Sequence, residues 1–122
     1  MKKLVDKDLG LYERLMKDIH IISSSVKRFN IFISDDEGLT IEIDFELLYD
    51  LGSVLRVRFK RVKEYSFYWN STHNFYYVER FKLIRKTDLF YLSLDPEDES
   101  SLDISENDQD FILFSGFEAW YV

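Results

Sequence analysis

The chain has no cysteine, a single proline and only four glycines in 122 residues. Without cysteine it can build neither a disulfide framework nor a thiolate metal site. Four scattered glycines cannot assemble a phosphate-cradling loop on the usual pattern, and no G-x-S-x-G elbow is present for a serine nucleophile. No stretch approaches the roughly eighteen apolar residues of a membrane span. The N-terminal "MKKLVDKDLGLYERLMKD" has no apolar run long enough for a signal peptide, so the expected location is the cytoplasm. "NST" at 70–72 matches a glycosylation sequon, but without a secretion signal it carries no weight.

What remains is rich in aromatics. Hydrophobic residues make up 46% of the chain and aromatics 17%, with eleven Phe and eight Tyr. That load opposes disorder and suits strands, where flat and β-branched side chains pack on a pleated surface. The length corresponds to one domain, 1–122, burying roughly two-thirds of its unfolded surface.

The net charge of −7 is strongly segmented. Residues 1–55 carry −4; residues 56–86 hold nine bases against Glu64 and Glu79; residues 87–122 hold ten acids and no base. A chain polarised in this way either pairs its charges internally or presents a dipolar surface to a partner.

Val5, Leu9, Tyr12, Met16 and Ile19 recur at helical spacing, predicting a short helix over about 6–18. Gly10 lies inside it and weakens it by about 1 kcal/mol relative to Ala. From Ile21 the period becomes two. "IISSSVKRFNIFIS" reads as a strand ended by "DDEG" at 35–38. In "LTIEIDFEL" apolar and acidic residues alternate, and in "SVLRVRFKRV" apolar and basic residues do. The pair predicts a hairpin with one buried and one wet face. A register centred on Leu51 sets Glu46 against Arg56, Asp44 against Arg58 and Glu42 against Lys60, a solvated ladder of opposite charges. The phase slip between Phe59 and Val62 predicts a bulge near Lys60–Arg61.

"EYSFYWN", "FYYVERFKLIR", "LFYLSLD" and "DFILFSGFEAWYV" read as further strands. Pro96 closes one of them, and Gly116 marks a bend or bulge in the last. The fold class expected is mainly β: an antiparallel sandwich or half-open barrel of six or seven strands with one short N-terminal helix.

Chemistry-bearing patterns are weak. Asp18 and His20 stand two apart, a spacing that on a strand would let the carboxylate orient the imidazole for base catalysis; an ordinary polar pair at a helix-to-strand junction explains it equally. His73 falls in a polar loop, and two histidines without a spaced carboxylate partner do not make a zinc site. "DPEDESSLDISE" lacks the central Gly of a calcium loop. Paired carboxylates for glycoside hydrolysis have no distinguishing signal in an acid-rich sheet. No catalytic residue, metal site or cofactor is assigned. Arg56–Lys86 interleaves bases with Tyr65, Phe67, Tyr68, Trp69, Tyr76 and Tyr77, as single-strand binders do. However, it has no glycine to match the RNP1 pattern, and a net charge of −7 opposes approach to a polyanion. Nucleic acid is therefore not the expected partner.

The text "DFELLYDLGSVLRVRFKRVKEYSFYWN", with the strand rhythm of residues 19–95 around it, resembles small β-rich bacterial proteins of the immunity type encoded beside secreted toxins. The resemblance implies a cytoplasmic, non-enzymatic protein that neutralises a toxin by occupying its active site or exit surface. The acidic C-terminal third would suit a basic nuclease, standing in for phosphates. The expected partner-binding residues are Asp95, Glu97, Asp98, Glu99, Asp103, Glu106, Asp108 and Asp110, facing a basic protein. The alternative is a small enzyme or ligand-binding barrel, with Tyr65, Tyr68, Trp69 and Trp120 lining a pocket.

Overall fold

The computed structural model describes residues 3–50, 52–72 and 76–122. Its elements are β1 (Leu4–Lys7), α1 (Asp8–Lys17), β2 (Ser25–Ser34), β3 (Gly38–Glu46), β4 (Val54–Ser66), β5 (Lys82–Lys86), β6 (Leu89–Asp95) and β7 (Gln109–Tyr121). The seven strands join one open antiparallel sheet: six run in the order β2-β3-β4-β7-β6-β5, and β1 pairs with β7 off that path. The mainly β, half-open architecture with one N-terminal helix is thus the one observed. No described helix is long and apolar enough to cross a membrane.

β7 organises the sheet. Along one edge it pairs with β4, from Tyr121 opposite Leu55 to Phe111 opposite Ser66. Its other edge is shared: β6 takes Gln109 to Phe114 and β1 takes Glu118 to Trp120. The pattern over residues 4–7 is too short to register as a strand beside the longer helical repeat, so β1 was not expected there.

The inner face is apolar. Ile41, Ile43, Phe45, Leu55, Val57, Phe59, Phe117 and Ala119 are fully buried, and Leu11 and Leu15 of α1 close over the cluster. Phe59 lies edge-on to Phe114 at 4.9 Å, and Phe90 stacks on Phe114 at 5.6 Å. Aromatic pairs at these distances add about 0.5–1.5 kcal/mol beyond their area burial.

Core residues on β4 and β7 are three apart at one level: Phe59 and Val62, Phe117 and Phe114. Both strands therefore exchange faces there, Arg61 adopting a left-handed backbone (φ 51°). The pairing register breaks slightly later than expected, between Val62 and Glu64. At the crossing, Asp8 accepts a hydrogen bond from the Phe117 N–H at 3.0 Å. A Cβ on Gly116 would stand 2.9 Å from that carboxylate and 2.6 Å from Arg61. Gly10 has a similar role: its Cα faces the Asp6 carboxylate, which a Cβ would meet at 2.4 Å. The glycine that weakens α1 by propensity thus lets β1 and the helix pack closely.

Three strand assignments need correction. Residues 21–24 form a turn, and β2 begins only at Ser25. β4 ends at Ser66, so the aromatics of "FYWN" leave the sheet. Of the described residues of "FYYVERFKLIR", Tyr76 onward, only those from Lys82 are in a named strand; Tyr77 makes an isolated bridge to Ser25, and the Val78 N–H donates to the Ser24 carbonyl. These residues act as a strap against β2, and Val78 is buried there.

Candidate functional site

Arg56, Arg58 and Lys60 of β4 are engaged within the sheet. The hairpin of β3 and β4 has the expected parity but a register two residues away from the expected one. Asp44 pairs with Arg56, Glu42 with Arg58 and Glu46 with Val54. A slip of two keeps every side chain on its face, so hydrophobic patterning could not discriminate the two; the turn does, through the Leu47 N–H donating to the Ser53 carbonyl. Leu51, the expected centre, lies outside the described residues.

The ladder is also drier than expected. Glu42 and Asp44 are each only 5% exposed, because arginine stems from both neighbouring strands lie across them. Arg56 grips Asp44 with two bonds, Nε to Oδ1 at 2.8 Å and Nη2 to Oδ2 at 3.0 Å. Glu42 is held from both sides, by Arg58 Nε at 2.7 Å and Arg28 Nη1 at 2.9 Å. Burial pushes the Glu42 carboxyl up, but its bonds to Arg28 and Arg58 outweigh that and hold it below the usual range. Arg58 also sits 4.8 Å from the Trp120 ring. Lys60 lies 3.7 Å from Glu118, and Arg61 bonds to Glu37. The cleft that Arg58 and Lys60 line on this face is also lined by Glu37 and Glu118, so it is mixed in charge.

At the other end of the sheet, the acidic segment 96–108 folds across the outer face of β5, β6 and β7. Its anchor is buried. Lys82 Nζ stands 2.8 Å from Asp108 Oδ2, with side-chain exposures of 2% and 0%. The Tyr91 hydroxyl donates to the same oxygen at 2.8 Å. The backbone N–H groups of Glu97 and Ser105 donate to Asp108 at 2.9 and 3.0 Å, and Lys82 donates to the Asp103 carbonyl at 2.7 Å. Burial disfavours the Asp108 anion, but Lys82, the two amides and the tyrosine overcome it and hold its pKa at about 2. Burial, together with the hydrogen bond to the Asp108 carboxylate, pushes the Tyr91 hydroxyl upward. One carboxylate thus fixes both ends of the loop to the sheet.

The eight acids expected to face a partner separate into two groups. Asp108 and Asp110 are buried; the former is the anchor, and the latter accepts from the Tyr68 N–H at 3.1 Å. Glu97, Asp98, Glu99, Asp103 and Glu106 are exposed, and Asp95 is partly so. Asp95 lies 3.5 Å from Arg80 and Asp103 3.6 Å from Lys86. Glu97 accepts bonds from Ser105 and Asn107, and Asp98 from Ser100, which together with the backbone bond from Ser100 lowers its pKa.

Sequence reasoning missed the apolar part of this region. Leu102 and Ile104 stand exposed among the acids. A cleft of about 370 Å³ is floored by Tyr91, Ile104, Phe111 and Leu113 and edged by Glu64 and Glu106. The available signal was Leu102 and Ile104 themselves, the two large aliphatics in an otherwise polar stretch.

The four rings proposed for a pocket do not converge: Tyr65 meets Phe67 at 6.5 Å. Trp120 lies under Arg58 on the charged face, Tyr68 flanks Asp110, and Trp69 meets Tyr76 at 6.5 Å across a cleft with Lys27, Arg28 and Phe29. Asp18 and His20 do not form a dyad: Asp18 faces Arg14 at 3.4 Å, and the His20 ring lies edge-on to Tyr49. His73 lies outside the described residues. Among the described residues no three His, Asp or Glu side chains are grouped to hold a metal. Comparison with protein families, with curated proteins and with solved structures finds no match.

Proposed function

We propose that the chain is a non-enzymatic protein-binding domain that presents the 97–106 loop to a basic protein partner. The observation carrying this reading is the cleft with an apolar floor of Ile104, Phe111 and Leu113 and an acidic edge of Glu64 and Glu106. An apolar centre within a charged rim is the anatomy of protein interfaces; the exposed acids add association rate and selectivity towards a cation-rich surface. The Asp108 anchor supports it further, since a loop already tied at both ends loses little freedom on docking. The finer reading, from the sequence resemblance, is an immunity-type inhibitor that acts in the cytoplasm on a secreted bacterial toxin.

Two variants test the proposal: Ile104→Ala with Leu102→Ala, and Glu97→Lys with Asp98→Lys and Glu99→Lys. Toxins encoded next to this gene are the first partners to assay, followed by proteins captured from the native host. A partner held by the wild type and lost by both variants, with binding weakened by salt, supports the reading. Partners bound equally by all three proteins refute it.

A further inference from the structure

β2 is the terminal strand, and the strap covers its outer edge at Ser25 and Val26, through the Tyr77 bridge and the bond from the Val26 N–H to the Tyr76 carbonyl. From Asn30 to Ser34 no strand lies beside that edge among the described residues. This stretch reads Asn-Ile-Phe-Ile-Ser. It has no charge and no proline, and its register shift lies upstream, between Val26 and Arg28. Natural sheets blunt their edges with lysine, proline, bulges or very short strands. β5, at the opposite edge, does so: it is five residues long and carries Lys82, Arg85 and Lys86. β2 uses none of these devices over 30–34.

The apolar side chains there are also left open. Ile31 and Ile33 face inward, opposite Ile41 and Leu39, yet they are 37% and 73% exposed. Phe32 lies on the other face, opposite Thr40.

We infer that this edge binds a second copy of the chain, β2 pairing antiparallel with β2 about a two-fold axis at Phe32. The flanking charges select that occupant and that direction. Lys27 and Arg28 precede the stretch, and Asp35, Asp36 and Glu37 follow it. An antiparallel pair centred on Phe32 sets Ile31 opposite Ile33 of the second copy, twice, and brings the Lys27–Arg28 end of each strand towards the exposed Asp35 and Asp36 in the turn of the second copy. Parallel pairing would instead set like charges together, which is unfavourable across a sheet. A self-complementary patch of this kind is the isologous interface of a two-fold dimer, and it joins two open sheets into one. It lies away from the acidic loop and does not depend on what that loop binds.

Sedimentation velocity over a concentration series tests the inference. The wild type is expected to show a monomer–dimer equilibrium, and Ile33→Lys, at a position too exposed to disturb folding, to weaken it at least about tenfold, the equivalent of 1.4 kcal/mol. Asp36→Arg should weaken it as well. Because the chain has no cysteine, Phe32→Cys gives a single thiol, and that thiol should oxidise to a covalent dimer across the axis. A wild type that stays monomeric up to roughly millimolar concentration overturns the inference and leaves the edge to a strand from another protein. A dimer that Ile33→Lys leaves undiminished also overturns it.

Discussion

Lys82 and Asp108 meet at 2.8 Å, both excluded from water, with the Tyr91 hydroxyl on the same carboxylate oxygen. Twenty-six positions separate them in the chain, and their contact ties an acidic loop to the sheet. A buried pair of this kind is weak evidence of net stability, but losing one member strands the other.

Lys82→Met leaves Asp108 buried without its counter-charge and should cost about 3–5 kcal/mol of unfolding free energy, measured by urea titration. Tyr91→Phe removes one hydrogen bond to a charged acceptor and should cost about 1.5–3 kcal/mol. The two effects share a partner, so the double variant should lose less than both together.

The same carboxylate predicts an acid response. Asp108 titrates near 2 in the folded chain, against a usual value of 3.8. A depressed folded pKa contributes stability that is fully present above the unfolded value and disappears as pH falls through the folded one. The contribution, about 2 kcal/mol, should therefore be lost between about pH 4 and pH 2. Urea midpoints across that window should fall in the wild type, and the fall should be shallower in Asp108→Asn.

The observed register makes its own prediction. A double-mutant cycle between Arg58 and Glu42 should give a coupling of about 1–3 kcal/mol, as for hydrogen bonds to charged groups, whereas Lys60 and Glu42, the pair expected from the pattern alone, should be coupled by less than about 0.5 kcal/mol.

Gly116→Ala places a methyl group against Asp8 and Arg61. The Arg61 side chain can move aside, but Asp8 is held by the Phe117 N–H. The substitution should lower stability by about 1–3 kcal/mol, the range for overpacking, read as a fall in thermal midpoint with an unchanged β-sheet circular dichroism spectrum.

The strands that could be read from the sequence are those whose two faces differ chemically. "TIEIDFE" and "RVRFK" alternate apolar with charged residues, and their pairing followed, although a two-residue slip satisfies the same pattern. Around Tyr76–Phe81 hydrophobicity alone read as strand, but these residues strap an edge instead of extending the sheet, a tertiary outcome that local periodicity does not encode. The acidic loop was visible as composition. Its anchor was not, because Lys82 looks like any strand lysine until β5, β6 and the loop bring Tyr91 and Asp108 to it. That two of the eight expected docking acids are buried follows from the same long-range closure.

The central claim is that Arg56, Arg58, Lys60 and Arg61 are paired with acids within the fold and that the acidic loop faces outward. The most direct measurement is fluorescence anisotropy of a labelled single-stranded oligonucleotide titrated with the protein at low ionic strength, where phosphate attraction is strongest. The account predicts no saturable binding. Saturable, salt-sensitive binding that is lost when Arg56 and Arg58 are replaced by methionine would contradict it.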